Sequence, residues 1–272
     1  METPVLPSSS SSDPSFQLKK SSYPFFGQAS NTCLEVDNSE SAFSPTYHGF
    51  LSELVAKSSV IAVSIEYRLA PENLLPIAYE DSWLALNWVA SHYKGNGDEI
   101  WLNENVNFET VYLGGDSAGA NIVHNMAMRV GLENDKFPVK LSGVFLNCPY
   151  FLGKIPIGNE AKDDIKRTLY QKLWLDMYPN SEGLDDPMVN PAMDPRLSSL
   201  GCRRMLIFVA GKDFLKDRGF YYLESLLKSG WSGGAVIEEV EGEDHVFNLI
   251  HPDNPKAIEM MEKIAAFLQM DA

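Results

Sequence analysis

The sequence predicts an α/β protein with a mostly parallel, doubly wound sheet. Short apolar runs rich in β-branched residues alternate with longer segments in which apolar residues recur at helical spacing, a pattern typical of βαβ units. The chain has 272 residues, 44% hydrophobic and 22% charged, which suits one large globular domain. Ligands bind such sheets at the carboxyl ends of the strands, so we expect the functional residues there.

The first half of the chain begins its α/β pattern near Ser44, where SPTYHGFLSELVAKS shows helical spacing. Residues 60–67, VIAVSIEY, are a β-branched run typical of a buried parallel strand. After a proline-containing loop, Asp81 is predicted to cap a helix. Residues 110–115 are the next predicted strand, and residues 118–129 the next helix.

The second half continues the alternation with one long interruption. Residues 140–151 read as a buried strand, and residues 204–213 as a strand running into a loop. Between them, residues 153–200 contain one helix and a proline-rich loop, too long for a simple crossover, and we interpret them as a helical cap insertion. A later helix stops at Gly230, and a last strand, AVIEEV, is followed by a helix opened by Pro255.

The beginning of the chain differs in composition. Residues 1–21 are rich in serine and proline, with five serines in a row at Ser8–Ser12. Such a stretch cannot bury enough apolar surface to offset its ordering entropy, so we expect a disordered tail. Residues 22–272 are then a single domain that includes the cap insertion.

Charge and composition exclude several classes of function. The formal net charge is −15, which disfavours binding to nucleic acid and to anionic membranes. No apolar stretch reaches the roughly 18–20 residues that span a bilayer, and the first residues lack the pattern of a signal peptide. Cys33, Cys148 and Cys202 are few and widely spaced, as expected in a reducing compartment. We therefore expect a cytoplasmic protein.

A candidate nucleophile lies between a predicted strand and a predicted helix. Residues 115–119, Gly-Asp-Ser-Ala-Gly, match the G-x-S-x-G pattern that places a serine on a strained strand-to-helix turn. Gly115 and Gly119 leave room for that turn, and the N–H of Ala118 at the helix start is the expected oxyanion donor. Ser117 is therefore the predicted nucleophile.

A base and an orienting carboxylate follow in the order of α/β-hydrolases, Ser…Asp…His. Of five histidines, His245 alone lies on a loop after the last predicted strand. Asp213 comes directly off the preceding strand, whereas Asp217 lies at a helix start, where a capping role is expected. The predicted triad is Ser117, Asp213 and His245. His124 is predicted to point away from Ser117.

Six segments together resemble plant carboxylesterases of the hormone-sensitive-lipase-like branch of the α/β-hydrolases: YRLAPENLLPIAYED, GGDSAGANIVHN, CPYF, DDPMVNP, AGKDFLKDRG and GEDHVF. The likeness runs from about Glu40 to the end of the chain. It implies the α/β-hydrolase fold, the same triad and activity on short acyl esters. Gibberellin receptors and a 2-hydroxyisoflavanone dehydratase share the scaffold, and the receptors lack the histidine that corresponds to His245.

The chain departs from this family at the oxyanion loop. The family carries His-Gly-Gly-Gly shortly before a segment like residues 40–48, and its usual spacing puts that motif on residues 33–36, Cys-Leu-Glu-Val. Only 32 residues precede this position, so we expect the family's N-terminal strands to be missing or replaced. Either residues 22–26 or residues 32–36 would then pair in the vacant position, or the sheet would have a gap. A truncated or alternatively spliced coding sequence is the simplest origin, and a divergent protein is the alternative.

Three functions therefore compete. The first is a serine carboxylesterase acting through an acyl-enzyme, slowed if the glycine loop is absent. The second is a dehydratase or lyase of a plant secondary metabolite, and the third is a receptor-like binding protein. All three imply a small-molecule ligand. The sequence implies neither a metal nor a cofactor, and it leaves the oligomeric state open.

Overall fold

A computed structural model of the protein describes residues 31–36, 44–133 and 136–270. The predicted disordered tail lies outside these ranges. The described residues form one six-stranded sheet in the order β2-β1-β3-β4-β5-β6, in which every pairing is parallel. The strands are β1 (Asn31–Val36), β2 (Val60–Ile65), β3 (Val111–Asp116), β4 (Leu141–Asn147), β5 (Cys202–Ala210) and β6 (Gly234–Val240).

Eight α-helices connect or flank the strands in the described ranges. They are α1 (Pro45–Ser58), α2 (Ile77–Ala90), α3 (Ile100–Asn105), α4 (Ala118–Leu132), α5 (Asp164–Met177), α6 (Lys216–Lys228), α7 (Phe247–Ile250) and α8 (Pro255–Leu268). Of these described helices, none combines the length and the apolar character needed to cross a membrane.

Helices cover both faces of the sheet, as the doubly wound pattern predicts. Alternate strand residues point to opposite faces. Tyr112 and Phe145 pack in a cluster with α1 and α8, whereas Leu113 and Leu146 pack in a second cluster with α2, α4 and α6. Because both faces are buried, the central strands read as continuous apolar runs.

Helix ends follow local chemistry. Ser44 precedes α1, and its side chain accepts a hydrogen bond from the Tyr47 N–H at 3.3 Å, with Pro45 in the first turn. Asn254 and Pro255 begin α8 in the same way. Gly230, which follows α6, has a φ of 89°, a left-handed conformation that glycine adopts without steric cost.

Two local predictions are wrong. Asp81 does not cap α2, which begins at Ile77; its buried carboxylate instead accepts three hydrogen bonds from Arg68. Residues 33–36 are not a loop but part of β1, hydrogen-bonded between β2 and β3. The parallel pairing of β1 realises one of the predicted alternatives, in which residues 32–36 fill the otherwise vacant position.

The predicted cap insertion is joined to the sheet domain by a buried ion pair. Within residues 153–200, α5 is the predicted helix. Glu160 accepts two hydrogen bonds from Arg218 of α6, at 2.8 and 2.6 Å, and both side chains are 3% exposed. Asp217 also accepts from the N–H of Asn159 at 2.6 Å. These contacts fix the segment against α6; the division of the chain into tail, domain and cap stays a prediction.

Candidate active site

Ser117 lies at the sharp turn between β3 and α4, here called the nucleophile turn (residues 116–118). Its φ of 53° and ψ of −114° lie outside the regions that ordinary side chains prefer. A side chain at Gly115 would come within 2.6 Å of the carbonyl carbon of Gly119, which explains why the turn requires small residues on both sides. Such strain at a candidate nucleophile is typical of functional sites.

Two loops bring polar side chains to Ser117. The acid loop (residues 211–215) follows β5, and the base loop (residues 241–246) follows β6. His245 Nε2 lies 2.8 Å from Ser117 Oγ, and His245 Nδ1 lies 2.7 Å from Asp213 Oδ2. The structure therefore brings the three sequence-predicted residues into one hydrogen-bonded chain.

The hydrogen bonds of Asp213 define its orientation. Asp213 is buried, and its Oδ1 accepts a hydrogen bond from the N–H of Leu215 at 2.9 Å, which leaves Oδ2 facing the imidazole. An ionised carboxylate can only accept hydrogen bonds, so Nδ1 of His245 must donate. In the neutral imidazole, Nε2 is then the acceptor, oriented toward the Ser117 hydroxyl.

Asp217, the other acidic residue considered for this role, lies in the first turn of α6, and its carboxylate binds Asn159 instead of a histidine.

Backbone groups around Ser117 are also positioned. The Ser117 N–H donates to the carbonyl of Asn147 at 2.9 Å, and the Ser117 carbonyl accepts from the N–H of Tyr150 at 3.0 Å. Ala118 is the first residue of α4, where N–H groups lack intrahelical acceptors and the helix dipole favours negative charge. The Ala118 N–H is thus where the oxyanion prediction put it, at a helix start beside Ser117.

Sequence reasoning missed a buried contact behind the turn. The Tyr47 hydroxyl lies 2.8 and 3.0 Å from the two carboxylate oxygens of Asp116, the residue before Ser117. Tyr47 is 1% and Asp116 3% exposed. The contact joins the first turn of α1 to the nucleophile turn. The acidic residue inside the G-x-S-x-G pattern was the available signal, because a carboxylate there needs a donor when it is buried.

The segment between β1 and α1 also lacks the glycines of the family's oxyanion loop. Residues 37–43, Asp-Asn-Ser-Glu-Ser-Ala-Phe, follow β1 and contain no glycine. They lie outside the described residues. The absence of the glycine motif from the sequence before α1 therefore stands, although its predicted slot was misplaced by a few residues.

Other histidines have partners elsewhere. His124 is buried in α4, and its Nδ1 lies 2.9 Å from the Tyr222 hydroxyl. Burial lowers the pKa of His124 to about 3, so the ring is neutral at physiological pH. His92 is also buried, and its Nδ1 lies 2.8 Å from the Trp88 carbonyl.

An aromatic stack joins the cap segment to the acid loop. The ring of Tyr170, on α5, stacks on Phe214 at 5.1 Å, and Tyr150 stacks on Tyr170 at 6.0 Å. Burial, followed by the negative charge of Asp213, raises the pKa of Tyr170. The neutral Tyr170 side chain is therefore the point at which the cap segment contacts the acid loop.

Metal binding fits this site poorly. In the described ranges, the one cluster of three potential ligand side chains consists of Cys148, Asp213 and His245, with atoms within 4.8 Å of one another. Asp213 and His245 already bind each other. Burial, reinforced by the Asp213 charge, raises the pKa of the Cys148 thiol well above its ordinary range, so the sulfur keeps its proton, whereas a metal requires the thiolate.

Comparison with known proteins identifies the family of the chain. Residues 39–249 match a family model described as the alpha/beta hydrolase fold. The chain is 42% identical to 2-hydroxyisoflavanone dehydratase from Glycyrrhiza echinata, over 84% of this chain and 72% of that protein. It is 45% identical to Probable carboxylesterase 1 from Arabidopsis thaliana, over 85% and 72% of the two chains. Tuliposide A-converting enzyme 1, chloroplastic, from Tulipa gesneriana is 44% identical, and the chain spans 59% of its length.

Solved structures show the same fold. An esterase from the hyperthermophilic archaeon Pyrobaculum calidifontis superposes with a TM-score of 0.74 at 26% identity, covering 90% of this chain and 78% of that one. The chain is thus a carboxylesterase-like α/β-hydrolase. It belongs to the α/β-hydrolase family and, within it, to the group that holds the plant carboxylesterases and 2-hydroxyisoflavanone dehydratase.

Proposed function

We propose that the protein is a serine carboxylesterase that hydrolyses small carboxylic esters through an acyl-enzyme. The observation that carries the proposal is the chain of contacts from Ser117 Oγ to His245 Nε2, at 2.8 Å, and from His245 Nδ1 to Asp213 Oδ2, at 2.7 Å. These distances allow proton transfer without rearrangement of the side chains.

The roles follow from the hydrogen-bond directions. His245 Nε2 takes the hydroxyl proton as Ser117 Oγ attacks the ester carbonyl, and the charged imidazolium is stabilised by the Asp213 carboxylate. The tetrahedral intermediate collapses, and His245 donates the proton to the leaving alkoxide, which departs as the alcohol. Water, deprotonated by His245, then attacks the acyl-enzyme and releases the carboxylic acid and free Ser117.

The oxyanion of the intermediate is stabilised by the N–H of Ala118 at the start of α4. Removal of one oxyanion donor from a serine hydrolase costs about 10²–10³ in kcat. Because residues 37–43 contain no glycine, we expect a lower rate than in an enzyme with the full His-Gly-Gly-Gly loop.

The test is hydrolysis of a short-chain nitrophenyl ester by the wild-type chain and by Ser117→Ala. We expect a burst of nitrophenol from the wild type and covalent labelling of Ser117 by a fluorophosphonate, both lost in the variant. Equal rates for the two proteins would contradict the proposal. Ser142→Ala, which removes another buried serine, is the matched control and should keep the burst.

A second candidate function is a dehydratase that acts in the same pocket. The 42% identity to 2-hydroxyisoflavanone dehydratase favours it, since His245 can remove a carbon-bound proton as well as a hydroxyl proton. Incubation with a 2-hydroxyisoflavanone and analysis for the dehydrated product decides between them. A receptor-like role, favoured only by the missing glycine loop, requires ligand binding without turnover of either substrate.

We further propose a cytoplasmic location, on the basis of three widely spaced cysteines that suit a reducing compartment. We also propose no nucleic-acid or membrane partner, on the basis of the net charge of −15. Two relatives from Tulipa gesneriana are named chloroplastic. Imaging of the complete protein with a carboxyl-terminal fluorescent tag tests the location, and accumulation in plastids would overturn it.

A further inference from the structure

The last residue of β4 and the residue after it contact all three loops that carry the candidate triad. Asn147 and Cys148, here called the β4 end, are 3% and 2% exposed. Neither residue had a role in the sequence-predicted site. We propose that the β4 end positions the base loop against the nucleophile turn and the acid loop. This inference rests on the proposed esterase function.

The backbone of the β4 end binds the nucleophile turn and the strand that leads to the acid loop. The Asn147 carbonyl accepts the Ser117 N–H at 2.9 Å, which fixes the nucleophile turn. The Cys148 N–H donates to the Phe208 carbonyl at 2.8 Å, near the end of the strand that leads to Asp213. Cys148 has a φ of 47°, which is unfavourable for a residue with a side chain and turns its thiol toward the loops.

The side chains of the β4 end hold the third loop. The Asn147 amide donates to Asn248 Oδ1 at 2.9 Å, three residues after His245. The Cys148 sulfur lies within 4.8 Å of ligand atoms of both Asp213 and His245. The sulfur therefore fills the space behind the acid–base pair.

The base loop needs such support because its own backbone is strained. Val246, directly after His245, has a φ of 45°, a costly conformation for a β-branched residue. Surrounding contacts must hold a residue in this conformation. With Cys148 and Asn147 packed against the loop, the imidazole keeps its direction toward Ser117 Oγ; without them, the loop can relax and turn His245 away.

The test compares two buried thiols. Cys148→Ala removes the sulfur behind the triad, whereas the matched control Cys202→Ala removes one that is 7% exposed at the opposite end of the sheet. Because small displacements of reacting groups are costly, we expect Cys148→Ala to lower kcat about 10- to 100-fold with little change in KM. Cys202→Ala should keep the wild-type kcat, even if its melting temperature falls as much as that of Cys148→Ala.

A second readout does not depend on turnover. The Nδ1 proton shared by His245 and Asp213 gives a low-field proton NMR signal, which Cys148→Ala should broaden or abolish and Cys202→Ala should leave in place. Cys148→Ser keeps a side chain of similar volume and a hydrogen-bond donor, so it should restore much of the kcat and of the proton signal. This variant also tests the inference if Cys148→Ala does not fold. If wild-type protein hydrolyses no ester, the esterase proposal fails while the NMR signal still tests the positioning.

An unchanged kcat and proton signal in Cys148→Ala, or equal losses in Cys148→Ala and Cys202→Ala, would overturn the inference.

Discussion

On one side of Ser117, β4 to β6 bring an acid and a base into direct contact; on the other, β1 leads into a segment without glycine. The first side, here the proton-transfer side, comprises the acid loop, the base loop and the β4 end, with hydrogen bonds of 2.7–2.9 Å between buried and partly buried groups. The second, here the oxyanion side, comprises β1, residues 37–43 and α1. In the proposed mechanism, proton transfer and oxyanion stabilisation therefore depend on separate parts of the chain, and one can be intact when the other is altered.

The largest effect is expected from a substitution on the proton-transfer side. Asp213→Asn should lower kcat by about 10³–10⁴, because an amide in place of the carboxylate favours the wrong imidazole tautomer. Steady-state ester hydrolysis measures it. The control is Asp217→Asn, four residues further along the same segment, where the carboxylate binds Asn159. A similar loss of kcat in both variants would show that the charge of the segment matters, and not the contact between Asp213 and His245.

The next largest effect is expected from substitutions on the oxyanion side. A chain carrying Asp37→His, Asn38→Gly, Ser39→Gly and Glu40→Gly should gain about 10²–10³ in kcat, since it regains backbone donors for the oxyanion. The same positions changed to alanine serve as the control for altered charge. An unchanged rate in the glycine chain would mean that the native segment already supplies the second donor.

A smaller effect is expected from the contact between α1 and the nucleophile turn. Tyr47→Phe removes the hydroxyl that binds both oxygens of buried Asp116, and the loss of a hydrogen bond to a charged group costs about 1.5–3 kcal/mol of unfolding free energy. Urea denaturation measures the loss. Tyr93→Phe removes a hydroxyl bound to Glu109 at an exposed site, and it should cost much less.

The effect that is smallest near neutral pH concerns the acid stability of the protein and comes from His124, a buried residue of α4. The folded protein holds the pKa of His124 at about 3 by burial, whereas an unfolded histidine titrates near 6.5. Between these values the unfolded chain binds the extra proton, so His124 contributes a loss of stability of about 1.4 kcal/mol per unit as the pH falls below 6.5.

Unfolding free energies measured between pH 7 and pH 4 test this slope. His124→Gln should flatten the profile, whereas His251→Gln, at an exposed position, should not. Identical slopes in all three proteins would exclude His124 as the source.

The sequence was sufficient to predict the fold class and the three candidate triad residues, because each has a local signal. Ser117 has a glycine-bounded turn, and Asp213 and His245 each follow an apolar strand in the expected order. Asp81 shows where local signals fail. Its position before an apolar segment resembled a helix cap, but α2 begins one turn earlier and Asp81 pairs with Arg68.

The supporting contacts could not be predicted, since they join residues far apart in the chain. Tyr47 and Asp116 are separated by 69 positions, and Asn147 and Asn248 by 101. No periodicity or spacing encodes such pairs. The slot for the glycine loop was misplaced for a related reason: counting residues from a motif cannot show where a strand stops, and residues 33–36 pair within the sheet.

The close approach of Gly115 to Gly119 has an evolutionary consequence. Any side chain at Gly115 would meet the backbone of α4 at 2.6–2.9 Å, so substitution there damages folding whether or not the protein acts on a substrate. A lineage that abandoned catalysis would still be under selection to keep Gly115, while His245, which is not a packing requirement of the sheet, could change freely. Retention of Gly115 thus indicates conservation of the fold, and retention of the histidine indicates conservation of the chemistry.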